Sequence, residues 1–203
     1  MLSFIGATLL LSISPGPDNI FVLIQSITNG VKYGIATVLG LISGCIVHTS
    51  LVAFGASAII KSNENLYTAL KVFGAAYLFF LAYKVFKSEA IISVETKTTE
   101  PKKSLGQLFR QGFIMNILNP KVSIFFLALF PGFLFSDSMS TVSQFFVLGF
   151  IFMGVSLVIF SGIALLAGAI STKLRQSSVI GNVLKWLQIS VFIGIGIFIL
   201  FSD

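Results

Sequence analysis

Cysteine is almost missing from this chain: Cys45 stands alone among 203 residues. A lone thiol excludes an intrachain disulfide, and with it redox relays and metal sites built from paired thiols. Charge is scarce too. Only 10% of the residues are Asp, Glu, Lys or Arg, against about 25% in soluble domains. Histidine occurs once, as His48. The acidic, histidine or cysteine clusters that a metal pathway wants are missing, so no metal and no cofactor are expected. There is no P-loop, so the chain carries no ATP motor of its own.

What fills the space is hydrocarbon. The chain is 56% hydrophobic and contains 22 Phe. That composition defines an integral membrane protein. In such a protein the net charge of +6 reports orientation through the placement of Lys and Arg, and does not point to nucleic acid. The first thirteen residues carry no Lys or Arg and no A-x-A pattern follows them. They read as a retained first span rather than a cleaved signal.

A spanning helix needs roughly 20 mostly apolar residues. Six segments qualify, near 2–28, 34–60, 66–84, 108–135, 142–169 and 182–201. The second carries no formal charge from Tyr33 to Ile60. Lys71 lies within snorkelling reach of an interface, and Lys185 with Trp186 reads as an interfacial anchor. The polar stretch at 87–106, with "SVETKTTEPKKS", reads as a hydrophilic linker between two halves, about 1–86 and 107–203. Loops after spans one, three and five hold Lys32; Lys84, Lys87, Lys97, Lys102, Lys103 and Arg110; then Lys173, Arg175 and Lys185, ten of the thirteen basic residues. Only Lys61 and Lys71 lie opposite. The bias puts the linker in the cytoplasm and both termini outside. Three spans per half is an odd number, so two repeated halves must be inverted, a common plan for secondary transporters. The expected fold is therefore all-α, six transmembrane helices in two inverted three-helix repeats, the first helix of each repeat broken at proline.

The breaks are "ISPGPDNIF" (13–21) and "ILNPKVSIFF" (117–126). Ser14-Pro15 aligns with Asn119-Pro120. Each pair sits in the first span of its half, with a charge close behind, Asp18 in one and Lys121 in the other. Asp18 is the only charged side chain between Met1 and Val31. Proline lacks an N–H and clashes with the carbonyl four residues back. Pro15 and Pro17 therefore leave the carbonyls of Leu11 and Ile13 without helical donors. In lipid such groups need partners in protein or a wet cavity. Beyond the break, Ser14 or Gly16 resembles an N-cap with proline at the first helical position, and Asn119-Pro120 reads the same way. Half-helix N-termini carry partial positive charge and suit a carboxylate. The candidate transport residues are Ser14, Pro15, Gly16, Pro17, Asp18, Asn19, Asn116, Asn119, Pro120 and Lys121.

Each has a plainer reading. Asp18 and Lys121 would also serve as a structural ion pair locking the halves, although intramembrane charges are functional by default. The prolines would serve as kinks. His48 and Asp18 are the proton-carrier candidates, yet a packed, hydrogen-bonded histidine is the more ordinary arrangement. Gly40, Gly44, Gly149 and Gly154 read as close-packing positions, and Cys45 as packing. Ser43 and His48 sit about 140° apart on one helix, so an intramembrane serine protease does not fit. No enzyme chemistry is expected. A channel stays open, but broken helices with buried charge suit alternating access better.

"SPGPDN" (14–19), "VHTSLVAFGASAII" (47–60), "LKVFGAAYLFFLAYK" (70–84) and "FRQGFIMNILNPKVSIFFLALFPGF" (109–133) resemble the LysE/RhtB family of bacterial amino-acid exporters, in the same order and over nearly the whole chain. The resemblance implies export of an amino acid or derivative across the bacterial inner membrane, driven by the proton motive force. Its Pro-Gly-Pro segment falls on Pro15, Gly16 and Pro17, and its Asn-Pro-Lys segment on Asn119, Pro120 and Lys121. The wider superfamily includes exporters of metal ions and other solutes, which remain the alternative. Expected partners are an amino acid, protons and the bilayer, with a second copy of the chain as a candidate. On this reading the substrate ammonium meets Asp18. Its carboxylate meets a half-helix N-terminus or Lys121, and Lys121 pairs with Asp18 otherwise.

Overall fold

A computed structural model describes residues 1–56, 64–88, 103–167, 169 and 178–201. Most of the 87–106 linker lies outside these residues, as do Lys61, Lys97, Lys102, Lys173 and Arg175. Every regular element among the described residues is helical.

Helix α1 (Leu2–Ile13) stops at Ser14, whose ψ of 120° is the extended value that a following proline imposes. Helix α2 (Pro17–Asn29) restarts with Gly16 as N-cap and Pro17 at the first position. Of the two expected caps it is thus Gly16 that serves, while Ser14 ends α1. The two axes differ by 57°. Gly30, at φ 103°, makes the turn into α3 (Val31–Leu51), which a wide π turn at Val52–Ala56 extends. Helix α4 (Glu64–Lys87) closes the first half.

The second half follows the same plan. Helix α5 (Leu105–Ile117) opens on a capping box between Ser104 and Gln107. After the break, Asn119 caps α6 (Pro120–Ile124), which runs on through a π turn (Phe125–Leu129) and a 3-10 turn (Phe130–Phe133). The bend here is 48°. Helices α7 (Thr141–Leu165) and α8 (Ser178–Phe201) complete the set. Among the described residues four helices are long and apolar enough to cross a membrane, or six if each bent pair is one span. The protein is a multi-pass membrane protein, as its composition requires.

Packing crosses between the halves. Helix α1 lies on α7, and its counterpart α5 lies on α3; α3 also meets α7, and α4 meets α8. The α3–α5 crossing is backbone to backbone. A Cβ at Gly40 would land on the Phe109 carbonyl, and one at Gly112 on the Thr37 carbonyl. Such contacts need glycine, the small-residue rule of membrane helix pairs. Gly44 and Gly149 are equally crowded, by Asn116 and Thr49. Gly154 corrects the expectation: nothing lies within 4 Å of where its Cβ would be, and it is exposed. A glycine packs only where its face meets a neighbour, and this one turns outward. Beside the second break, Phe126 stacks on Phe130 at 4.1 Å, with Phe4 edge-on to Phe130 at 5.2 Å and Phe152 edge-on to Phe126 at 4.8 Å. At one end of the α4–α8 pair, Lys185 Nζ donates to the Ser88 carbonyl at 2.6 Å and Trp186 meets Phe86, as an interfacial anchor should. Large apolar side chains such as Leu2, Phe150, Leu165 and Phe201 face outward, while Thr8, Ser12, Ser14, Asp18, His48, Asn116 and Asn119 are buried. Polar-inside, apolar-outside suits a hydrocarbon solvent.

Candidate functional site

The two breaks meet inside the bundle, and the freed backbone groups account for the contacts there. Pro15 removes the donor for the Leu11 carbonyl. Lys121, from the opposite half, donates its Nζ to that oxygen at 3.1 Å and to the Ser14 carbonyl at 3.0 Å. Asn19 Nδ2 donates to the Ser12 carbonyl at 2.7 Å, reaching back across the bend. Pro120 removes the donor for the Asn116 carbonyl by the same arithmetic. His48, again from the opposite half, lies with Nε2 3.0 Å from that oxygen. A carbonyl only accepts, so Nε2 carries the proton. Asn119 N–H turns back to the same oxygen at 3.0 Å. Each break is thus served by a basic side chain of the other half. A carbonyl left unpaired in hydrocarbon costs several kcal/mol, of order the 2–7 kcal/mol for burying an unbonded amide, so these contacts hold the halves together at the point where each is weakest.

Asp18 and Asn119 join the breaks directly. Asn119 Nδ2 donates to Asp18 Oδ2 at 2.8 Å, while Asn119 Oδ1 accepts the Lys121 backbone N–H at 3.0 Å. The Val122 and Ser123 N–H groups go to the Asn119 carbonyl. The first turn of α6 therefore has no free donor, and a carboxylate finds none at Asn119-Pro120. The expected Asp18–Lys121 ion pair is also corrected. No carboxylate oxygen lies within 4.0 Å of Lys121 Nζ among the described residues. The ammonium instead sits on two carbonyls and 5.7 Å from the centroid of the Phe192 ring. The lysine stem turns toward the carbonyls that the α1–α2 bend uncovers, of which that of Leu11 has lost its helical donor to Pro15. Asp18 Oδ1 and Ser14 Oγ are buried without any hydrogen-bond partner.

A cavity lies against this network, lined among others by Leu11, Ser12, Gly16, Asp18, Asn19, Cys45, Asn116, Asn119 and Lys121. Its volume for the centre of a water-sized sphere is about 20 Å³, room for about one water. An amino acid needs the helices to part. Of the residues expected from sequence, Gly16, Asp18, Asn19, Asn116, Asn119 and Lys121 line it. Ser14 stands behind Lys121 through its carbonyl. Pro15, Pro17 and Pro120 shape the breaks from outside the lining. His48 caps Asn116 from beneath. Sequence reasoning passed over Ser12, Ser156, Cys45, Phe152 and Phe160, which also line the cavity. Ser12 and Ser156 share a hydrogen bond at 3.0 Å. The signal was an isolated hydroxyl in an apolar span, a weak one, because serine satisfies itself on its own helix. Cys45 does not merely fill space: its thiol reaches the Leu41 carbonyl at 3.6 Å and Asn116 Oδ1 at 3.7 Å.

A bundle of bent spans folded around a buried carboxylate, a lysine and two amides is the build of a membrane translocator. The chain belongs to the LysE type translocator family, whose model matches residues 9–203. It is 30% identical to a homoserine/homoserine lactone efflux protein of Salmonella typhimurium, over 85% of this chain and 82% of that relative. It is 28% identical to a leucine efflux protein of Salmonella choleraesuis, over 95% of this chain and 90% of the relative, and 28% identical to an uncharacterized membrane protein of Vibrio cholerae, over 96% and 93%. No solved structure matches the chain.

Proposed function

We propose that the protein exports an amino acid or amino-acid derivative from the cytoplasm in exchange for protons. The observation that carries the reading is Asp18. Its Oδ1 is buried without a partner beside a cavity lined by both polar and apolar side chains, where two breaks from opposite halves of a translocator meet. Intramembrane carboxylates mark transport pathways by default. The relatives' names support the substrate class. Leucine, homoserine and homoserine lactone share an α-amino group, whereas the lactone has no free carboxylate. The ammonium is then the common feature to be recognised.

In this mechanism the substrate enters from the cytoplasmic side as α5 and α1 part from their neighbours. Its ammonium takes the free oxygen of Asp18. Lys121 swings to the substrate carboxylate where there is one. The N–H groups of Asp18 and Asn19, which make no hydrogen bond among the described residues, stand at the start of α2 for the same anion. A proton arriving from outside neutralises Asp18 and releases the ammonium outward. His48 stays on the Asn116 carbonyl, so Asp18 carries the proton and His48 holds the second break. The exchange of packing partners between halves supports inverted repeats at about 1–86 and 107–203. The basic-residue bias supports both termini outside, in a bacterial inner membrane.

The test is efflux from preloaded proteoliposomes against a panel of amino acids, with and without an inward proton gradient. Gradient-stimulated efflux of at least one amino acid supports the reading. A flat response across the panel contradicts it.

A further inference from the structure

The position of Lys121 says more than that a lysine is present. A primary ammonium has three N–H donors. Here two go to the carbonyl oxygens of Leu11 and Ser14, and the ammonium lies 5.7 Å from the Phe192 ring centroid. Two bare carbonyls beside an aromatic ring make a seat for R–NH3⁺, the chemistry by which proteins hold ammonium ligands. The seat exists because Pro15 strips the Leu11 carbonyl of its helical donor. It adjoins the cavity, which Leu11, Gly16, Asp18 and Lys121 all line. Gly16 stands beside the seat: a Cβ there would lie 3.6 Å from Lys121 Nζ, an ordinary van der Waals contact. A second, independent feature points to a cationic ligand, the buried Oδ1 of Asp18, which has no hydrogen-bond donor.

We propose that the Leu11 and Ser14 carbonyls with the Phe192 ring form a binding seat for a primary ammonium, and that the Lys121 side chain is its internal occupant, displaced by the amino group of the cargo. This rests on the export reading above and deepens its ammonium subsite, adding two carbonyls and a ring to the free Asp18 oxygen. The lysine acts as a tethered stand-in for cargo and keeps the broken backbone satisfied between turnovers. Two ammonium groups cannot share the seat. An incoming amine must therefore give Lys121 another partner, and a cargo carboxylate does so. For an amine without one, such as a lactone, the open partner for the displaced lysine is Oδ1 of Asp18, which is buried without a donor. The seat thereby ties binding of the cargo amine to the position of one movable side chain.

The experiment is thermal unfolding of purified wild type and Lys121→Ala in detergent, titrated with methylammonium chloride and, at equal ionic strength, tetramethylammonium chloride. Methylammonium has the N–H donors and the size of the lysine head; tetramethylammonium has no N–H. The expected result is a saturable rise in Tm of about 2–4 °C for Lys121→Ala with methylammonium. No rise is expected with tetramethylammonium, and none for the wild type, whose seat is taken. Adding Phe192→Leu to Lys121→Ala should weaken the response at least about threefold in apparent affinity, a fraction of the contribution of an ammonium–ring contact. If Lys121→Ala does not survive extraction, Lys121→Gln serves, because its amide still donates to the carbonyls but yields to a cation; a smaller saturable rise is then expected. An equal response in wild type and variant, an equal response to both cations, or no response overturns the seat. Efflux by the wild type is scored separately. Intact efflux with no methylammonium response defeats the seat alone, whereas a response without any amino-acid efflux defeats the export reading and leaves the seat standing.

Discussion

Lys121 holds its Nζ 3.1 Å from the carbonyl oxygen of Leu11, the oxygen that Pro15 deprives of its helical donor. His48 stands to Asn116 as Lys121 stands to Leu11, with Pro120 in the place of Pro15. In each half a proline opens the backbone, and in each the other half supplies the replacement donor. The consequence is mechanical. The halves cannot slide apart at this level without exposing two carbonyls or finding them new partners. In the proposed mechanism a cargo amine displaces one of these donors, which would tie movement of the halves to what occupies the cavity.

Asp18→Asn should insert and fold normally, because the asparagine oxygen still accepts from Asn119 Nδ2. Efflux should fall at least about tenfold, equivalent to roughly 1.4 kcal/mol of lost cargo interaction. Vesicle efflux at matched expression checks it. Wild-type rates from a normally inserted Asp18→Asn protein would demote the carboxylate to structure.

His48→Gln should keep a donor for the Asn116 carbonyl and keep proton-driven efflux. His48→Phe should lose the donor and cost about 1–3 kcal/mol of stability, softened by the Asn119 N–H that shares the oxygen. Comparing the two in the same efflux assay separates a cap from a proton carrier. Loss of gradient dependence in His48→Gln alone would make His48 the carrier.

Gly112→Val should drive its side chain into the Thr37 carbonyl and destabilise the α3–α5 crossing by about 1–3 kcal/mol. Gly154→Val, facing open space, should be close to neutral. Detergent unfolding of the pair gives the contrast, and equal losses would mean that crowding at this crossing is not what glycine provides.

Orientation is tested by single cysteines at positions 95 and 203 with Cys45→Ser. An impermeant thiol reagent on intact cells should label 203 and spare 95. Labelling of 95 with 203 protected would reverse the orientation. Labelling of both, or of neither, is incompatible with an odd number of spans between 95 and 203, and so with three spans in the second half.

Much of this was legible in the chain before any coordinates. Six candidate spans follow from apolar length, four of them unbroken helices among the described residues, and the bends follow from Pro15, Pro17 and Pro120. The freed carbonyl of Leu11 follows from subtracting four from fifteen, and the same subtraction applied to Pro120 marks Asn116. The meeting of the breaks was legible from the echo of Ser14-Pro15 in Asn119-Pro120. What the chain did not disclose is which donor serves which acceptor. Opposite charges at Asp18 and Lys121 suggest an ion pair by sign alone. The turn of a four-carbon lysine stem toward the uncovered carbonyls decides otherwise, and it has no periodicity to read. Gly154 failed for a related reason: small size shows in a sequence, but the direction in which a glycine faces depends on the neighbouring helix.

The most direct test of the account is a double-mutant cycle between Pro15 and Lys121, read by unfolding and by efflux together. Alanine at 15 brings back the N–H that the Leu11 carbonyl lost. Lys121→Met should cost about 1–3 kcal/mol for each carbonyl it orphans in the Pro15 background, and measurably less beside Pro15→Ala, a coupling within the usual range of about 0.5–3 kcal/mol. The account predicts that the double variant regains stability relative to Lys121→Met but exports nothing. Additive stability losses, or efflux restored together with stability, would contradict it.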